Sequence, residues 1–85
     1  MRLEIEFFGP IQDRFGQASL QLEATTAPTS RDALIDLLAD AHDSAAALRD
    51  PHLQLAVNDV LIPAGTGLQL GDGDRIAFLS PFSGG

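Results

Sequence analysis

Gly73-Asp74-Arg75-Ile76-Ala77-Phe78-Leu79 joins a glycine and aspartate turn to an apolar run, and the run leads directly into Ser80-Pro81-Phe82-Ser83-Gly84-Gly85. Glycine and aspartate favour a reversal and the apolar run favours a strand, so the chain is expected to end as a core strand that delivers a short tail out of a folded body. Glycine has no Cβ, so a carboxyl group behind two glycines can be threaded into a channel too narrow for other residues. The terminal carboxyl group is therefore the candidate reactive group. The last strand would give the tail a fixed origin.

A partner for that strand stands at the other end of the chain. Arg2-Leu3-Glu4-Ile5-Glu6-Phe7 alternates without a break, which puts Leu3, Ile5 and Phe7 on one face and Arg2, Glu4 and Glu6 on the other. Gly9-Pro10 ends this strand, and Phe15-Gly16-Gln17 reads as the turn into a second one, Ser19-Leu20-Gln21-Leu22-Glu23, with Leu20 and Leu22 inward. The two form a hairpin with a long loop. If the first and last strands lie side by side in the centre, Leu3, Ile5, Phe7, Ile76 and Phe78 are buried together.

A helix comes next. Pro28-Thr29-Ser30 supplies its entry, with Thr29 or Ser30 as the capping hydroxyl. Leu34, Leu37, Leu38 and Ala41 then form one apolar stripe, opposite an acidic face of Asp32, Asp36 and Asp40. Ala45 to Leu48 either extends this helix or makes a short second one, ending at Asp50-Pro51 because the residue before proline avoids the helical region. Leu53 to Val57 and Val60 to Ile62 make a small hairpin around Asn58-Asp59. The order is strand, strand, helix, strand, short strand, strand. That is an α+β arrangement with one main helix packed across a mixed sheet.

The chain has 85 residues and no cysteine, enough for one small domain that buries about 60 to 65% of its unfolded surface without disulfides. His42 and His52 are isolated, and Asp72 and Asp74 lack the other ligands of a calcium loop, so no metal site is expected. Twelve Asp and Glu against five Arg give a formal net charge of −7, which repels nucleic acid and suits a basic protein partner or plain solubility. No apolar run approaches the roughly 20 residues of a membrane span, and no signal peptide is read at Met1, so the expected location is the cytoplasm. Lysine is absent, so a tail joined to amines could not polymerise through this chain's own lysines.

Phe7-Phe8, Ala56-Val57-Asn58 and Gly73-Asp74-Arg75-Ile76-Ala77-Phe78, continuing through Pro81 to Gly84-Gly85, resemble the β-grasp, ubiquitin-like sulfur carriers, with the small subunit of molybdopterin synthase as the nearest branch. The length and the paired phenylalanines favour this branch over the shorter thiamin-pathway carrier. The resemblance implies a β-grasp domain over residues 1–79 and a flexible tail over 80–85. It implies that Gly85 is adenylated and converted to a thiocarboxylate, while Ser80, Pro81, Phe82, Ser83 and Gly84 enter a partner pocket. The implied partners are the large synthase subunit, a ubiquitin-activator-like adenylating enzyme that uses ATP, and a sulfur donor protein. The chain itself would bind no cofactor and carry no catalytic residue of its own. Two departures stand out: Ser80 precedes Pro81 where the family commonly has two prolines, and Phe82 stands where a smaller branched residue is usual. Other outcomes of the same tail are a carrier for another sulfur pathway, a modifier joined to protein amines, or an interaction domain with an inert end.

Overall fold

Strict alternation sets the first strand. β1 (Arg2–Phe8) buries Leu3, Ile5 and Phe7 completely and turns Arg2, Glu4, Glu6 and Phe8 to the opposite face. The computed structural model describes residues 1–80. In chain order β1 is followed by α1 (Ile11–Phe15), β2 (Ser19–Glu23), α2 (Arg31–Ala39), a 3₁₀ segment (Asp43–Arg49), β3 (Gln54–Val57), β4 (Val60–Ile62) and β5 (Arg75–Leu79).

The five strands form one sheet in the order β2-β1-β5-β3-β4. β1 and β5 pair in parallel at its centre, with Ile5 opposite Ile76 and Phe7 opposite Phe78, and the other three pairings are antiparallel. The expected mixed sheet with adjacent first and last strands is therefore borne out. One face is covered by α1, α2 and the 3₁₀ segment, whose Ile11, Phe15, Leu34, Ile35, Leu38 and Leu48 close the core over the sheet. Phe7 is its hub, stacked on Phe15 at 4.1 Å and facing Phe78 at 6.0 Å between ring centroids.

Two readings change in detail. The β1–β2 connection is not simply a long loop, because Ile11–Phe15 forms a short helix closed by Gly16 at φ 94°. Ile11 and Phe15 lie one turn apart, and their burial offsets the weakness of so short a helix. The stripe of α2 is Leu34, Ile35 and Leu38, with Leu37 half-buried and Ala41 exposed beyond the helix end. Ser30 is the capping residue, and its hydroxyl accepts from the Ala33 N–H at 3.0 Å. The segment after α2 is a separate 3₁₀ turn and not an extension of it. No helix among the described residues is long and apolar enough to cross a membrane.

Among the described residues that carried the family resemblance, the turn residues prove to be fold-making. Asn58 and Asp59 both have positive φ, as a tight hairpin turn demands. Asn58 also donates through its amide to Asp74 at 3.1 Å and accepts from the Arg75 N–H at 3.0 Å. Asp74 accepts from the Gly71 N–H at 2.8 Å, and Asp72 from the Arg2 N–H at 2.6 Å. These aspartates are thus spent on turn backbone. The bonds from Gly71, first, and Asn58 hold the Asp74 carboxyl below its ordinary value of 3.8. A carboxylate lowered in the folded state adds stability above that ordinary value and loses it as pH falls through its folded value. Asp74→Asn is accordingly expected to melt below wild type at neutral pH, with the gap closing on acidification. Thermal melts across an acid series check this, and a gap independent of pH would contradict it.

Candidate functional site: the root of the tail

The parallel β1–β5 ladder decides where the tail leaves the body. Its last paired residues are Phe8 and Leu79, and Leu79 also faces Gln54 of β3. One step further, the Ser80 N–H donates to the Phe8 carbonyl at 3.1 Å. The Ser80 hydroxyl accepts from the Ile11 N–H at 2.9 Å. Gly9 makes this approach feasible: it sits at φ +80°, and a Cβ placed there would come within 3.1 Å of the Ser80 Cβ. Ser80 was expected as the first residue of a free tail. The described structure instead fastens it to the turn between β1 and α1, one residue past the expected domain boundary at 79. Pro81, Phe82, Ser83, Gly84 and Gly85 lie outside the described residues.

Beside this root the sheet's open face carries apolar residues among polar ones, with Glu6 next to Ala77 and Gln54 next to Leu79. Phe8 is 47% exposed and Leu61 57% exposed. Between them the register aligns Ala77, Ala56 and Leu61 across β5, β3 and β4, and places Leu79 next to Phe8. Aromatic and aliphatic side chains grouped on a face that no helix covers are what a partner's surface would bury. The alternation of β1 already pointed Phe8 outward, because it continues the series Arg2, Glu4, Glu6. What the sequence could not supply was the register that sets Leu79 beside Phe8 and puts Leu61, three strands away, on the same face.

Charge surrounds that strip without supplying chemistry. The five arginines are engaged inside the chain: Arg2 with Glu23, Arg14 with Asp50, Arg49 with Asp32 and Asp36, Arg75 with Asp59, and Arg31 with the Leu53 and Asp50 carbonyls. The −7 balance is therefore offered to the outside as carboxylates. His42 packs beside Phe15, and exposed His52 lies 3.3 Å from Asp50. His52 lies two residues before Gln54, the residue opposite Leu79, and so sits at the end of the sheet from which the tail leaves. Among the described residues no polar or charged side chain is fully buried, and no nucleophile is paired with a base.

A sequence profile described as the ThiS family matches residues 5–85. The chain belongs to the ThiS family. It is a ThiS-like sulfur carrier with the ubiquitin-like β-grasp fold, in agreement with the resemblance noted in its residues. Comparison with curated protein sequences finds no match. Among solved structures, this ThiS family member is similar to the crystal structure of small archaeal modifier protein 1 from Haloferax volcanii, with TM-score 0.74, 24% identity and all of both chains covered. It is also similar to the solution structure of the HVO 2177 protein from the same organism, with TM-score 0.73 and 27% identity over 100% of this chain and 87% of that one. A third likeness is to a chain in the complex of subunits 1 and 2 of the molybdopterin-converting factor from Helicobacter pylori, with TM-score 0.62, 29% identity and both chains fully covered. At 24% identity the archaeal modifier speaks for the fold alone.

Proposed function

We propose that this ThiS family member is the sulfur-donating small subunit of a molybdopterin synthase. The observation that carries the reading is the full-length likeness, at 29% identity, to a chain of the Helicobacter pylori complex of molybdopterin-converting factor subunits 1 and 2. In this reading the Gly85 carboxylate attacks the α-phosphate of ATP in the site of a ubiquitin-activator-like adenylating enzyme. Pyrophosphate leaves and an acyl adenylate forms. A persulfide on a donor protein then displaces AMP to give an acyl disulfide, and a thiol cleaves its S–S bond, leaving the thiocarboxylate on Gly85 and a disulfide on the donor side. The thioacid is a soft nucleophile near neutral pH, which suits transfer of sulfur to a pterin precursor held by the large subunit. ATP belongs to the activating partner, and no cofactor resides in this chain.

The large subunit docks on the strip formed by Phe8, Leu79, Ala77 and Leu61, and its pocket receives Pro81, Phe82, Ser83 and Gly84 with Ser80 at the mouth. Six residues from Ser80 to Gly85 reach at most about 20 Å, enough to pass from that face into a buried site. A basic rim on the partner would complement the carboxylate excess and speed encounter.

The docking arm of this reading is tested by Phe8→Asp and Leu61→Asp. Both side chains are about half exposed, so folding should be little affected. Each change is expected to weaken binding to the large subunit by at least about 30-fold, the size of a hot-spot loss. Titration calorimetry against that subunit measures it, and unchanged affinity in both variants would move the interface elsewhere. Sulfur transfer to the precursor, followed in the same mixtures, tests the pathway. Attachment of the intact chain to lysine amines of other proteins would instead make it a modifier that shares only the activation step.

A further inference from the structure

We propose that Ser80 is a latch that fixes the point and direction at which the tail leaves the domain, and that it thereby acts as a positioning residue for the reactions at Gly85. The inference rests on the carrier reading above and goes beyond it by assigning a role to a residue in the body.

Three contacts converge on Ser80. Its N–H donates to the Phe8 carbonyl, which extends the parallel ladder one step past Leu79. Its hydroxyl accepts from the Ile11 N–H, linking residues 69 apart in sequence. Its Cβ lies where Gly9 presents no side chain, and Gly9 holds the positive φ that turns the chain there. The contact also serves α1. The residue preceding that helix is Pro10, which provides no side-chain cap, so Ile11 opens α1 with a backbone donor that nothing local accepts. Ser80 supplies the missing acceptor from the far end of the chain.

Only a residue with both a backbone N–H and a short hydroxyl makes this pair of bonds. Alanine keeps the first and loses the second, threonine keeps both, and proline keeps neither. The core does not depend on the latch, since the sheet is already closed over by Phe78 and Ile76. Its effect falls on the tail. From a fixed Ser80 the five following residues reach at most about 17 Å, so the origin of the tail determines the volume its carboxylate explores. A root free to pivot or unzip spreads the same carboxylate over a larger volume. It would then lie less often in line with the α-phosphate, and misplacement at this scale is costly to reaction rates.

The test compares wild type with Ser80→Ala, Ser80→Thr and Ser80→Pro in two measurements. Amide hydrogen exchange reads the latch itself, and pyrophosphate release with an adenylating enzyme reads its consequence. Ser80→Ala is expected to speed exchange at Ile11 about tenfold and to lower kcat of adenylation by about the same factor, the size of one lost hydrogen bond. KM for the carrier should hold, because the change removes one hydroxyl bonded within the domain and alters no exposed side chain of the body. Ser80→Thr should restore both readouts, and Ser80→Pro should lose more than Ser80→Ala. A residue that merely stabilised the fold would shift the melt without changing kcat at saturation. Unchanged Ile11 exchange in Ser80→Ala would overturn the latch, and an unchanged kcat would overturn the positioning role. A wild-type chain that is never adenylated would overturn the carrier reading and the positioning role with it, while Ile11 exchange would still judge the latch.

Discussion

Removing Gly85, or adding one residue after it, is expected to abolish adenylation and leave the melting transition where it was. The two halves of this result have separate causes. Stability resides in a core whose last member among the described residues is Phe78, so the melt is expected to hold when the terminus is changed. Activation depends on one carboxylate reaching one phosphorus atom, and a single residue shifts that group by about 3.5 Å, more than the tolerance of a reactive geometry. The expected loss is therefore several orders of magnitude in rate at constant stability. Pyrophosphate release and thermal melts on the same samples give the comparison. Normal activation of the lengthened chain would show that the terminus is not the reacting group.

The second large effect lies in the body. Phe7 and Phe78 are fully buried on the two central strands, and Phe7 also stacks on Phe15. Cutting either to alanine is expected to cost about 3 to 5 kcal/mol, a transfer loss plus a cavity that the rigid sheet cannot close. A chain of this size has about 4 to 13 kcal/mol in all, so the variant should approach the unfolding threshold and melt about 15 to 30 °C lower. Function should fall with it, because the Phe8 carbonyl that holds Ser80 is carried on the strand that Phe7 anchors. Denaturant unfolding measures the cost, and a loss below about 1 kcal/mol would be incompatible with the burial described.

How far the sequence led is clear from particular residues. The unbroken alternation from Arg2 to Phe7 was readable because one face of β1 is dry and the other is not. The Asn58-Asp59 and Gly73-Asp74 turns were readable because few residue types tolerate those backbone angles. The helix Ile11–Phe15 was missed because five residues are too few to show a period, although Ile11 and Phe15 are spaced as a single helical turn requires. The stripe of α2 was placed slightly off because Leu34, Ile35, Leu37 and Leu38 offer two overlapping apolar faces, and only the sheet beneath selects between them. The latch was beyond local reading altogether. Its partners, Phe8, Gly9 and Ile11, lie about 70 residues from Ser80, and a long-range hydroxyl bond leaves no pattern in either segment.

The same division holds for the site. The diglycine end reads from the sequence as a terminus fit for a narrow channel, and it lies outside the described residues. Phe8 was not singled out from the sequence as exposed, and the strip it shares with Leu79 emerges only from strand register. Both features serve one central claim, that the chemistry of this protein occurs at Gly85. The most direct measurement is the intact mass, and the mass of the C-terminal peptide, of the chain isolated from its own cells. The account predicts a fraction in which one oxygen is replaced by sulfur, confined to the peptide ending in Gly85 and absent when that residue is deleted. A C-terminal peptide that carries only an unmodified carboxylate, under conditions in which the chain's partners are active, would contradict it.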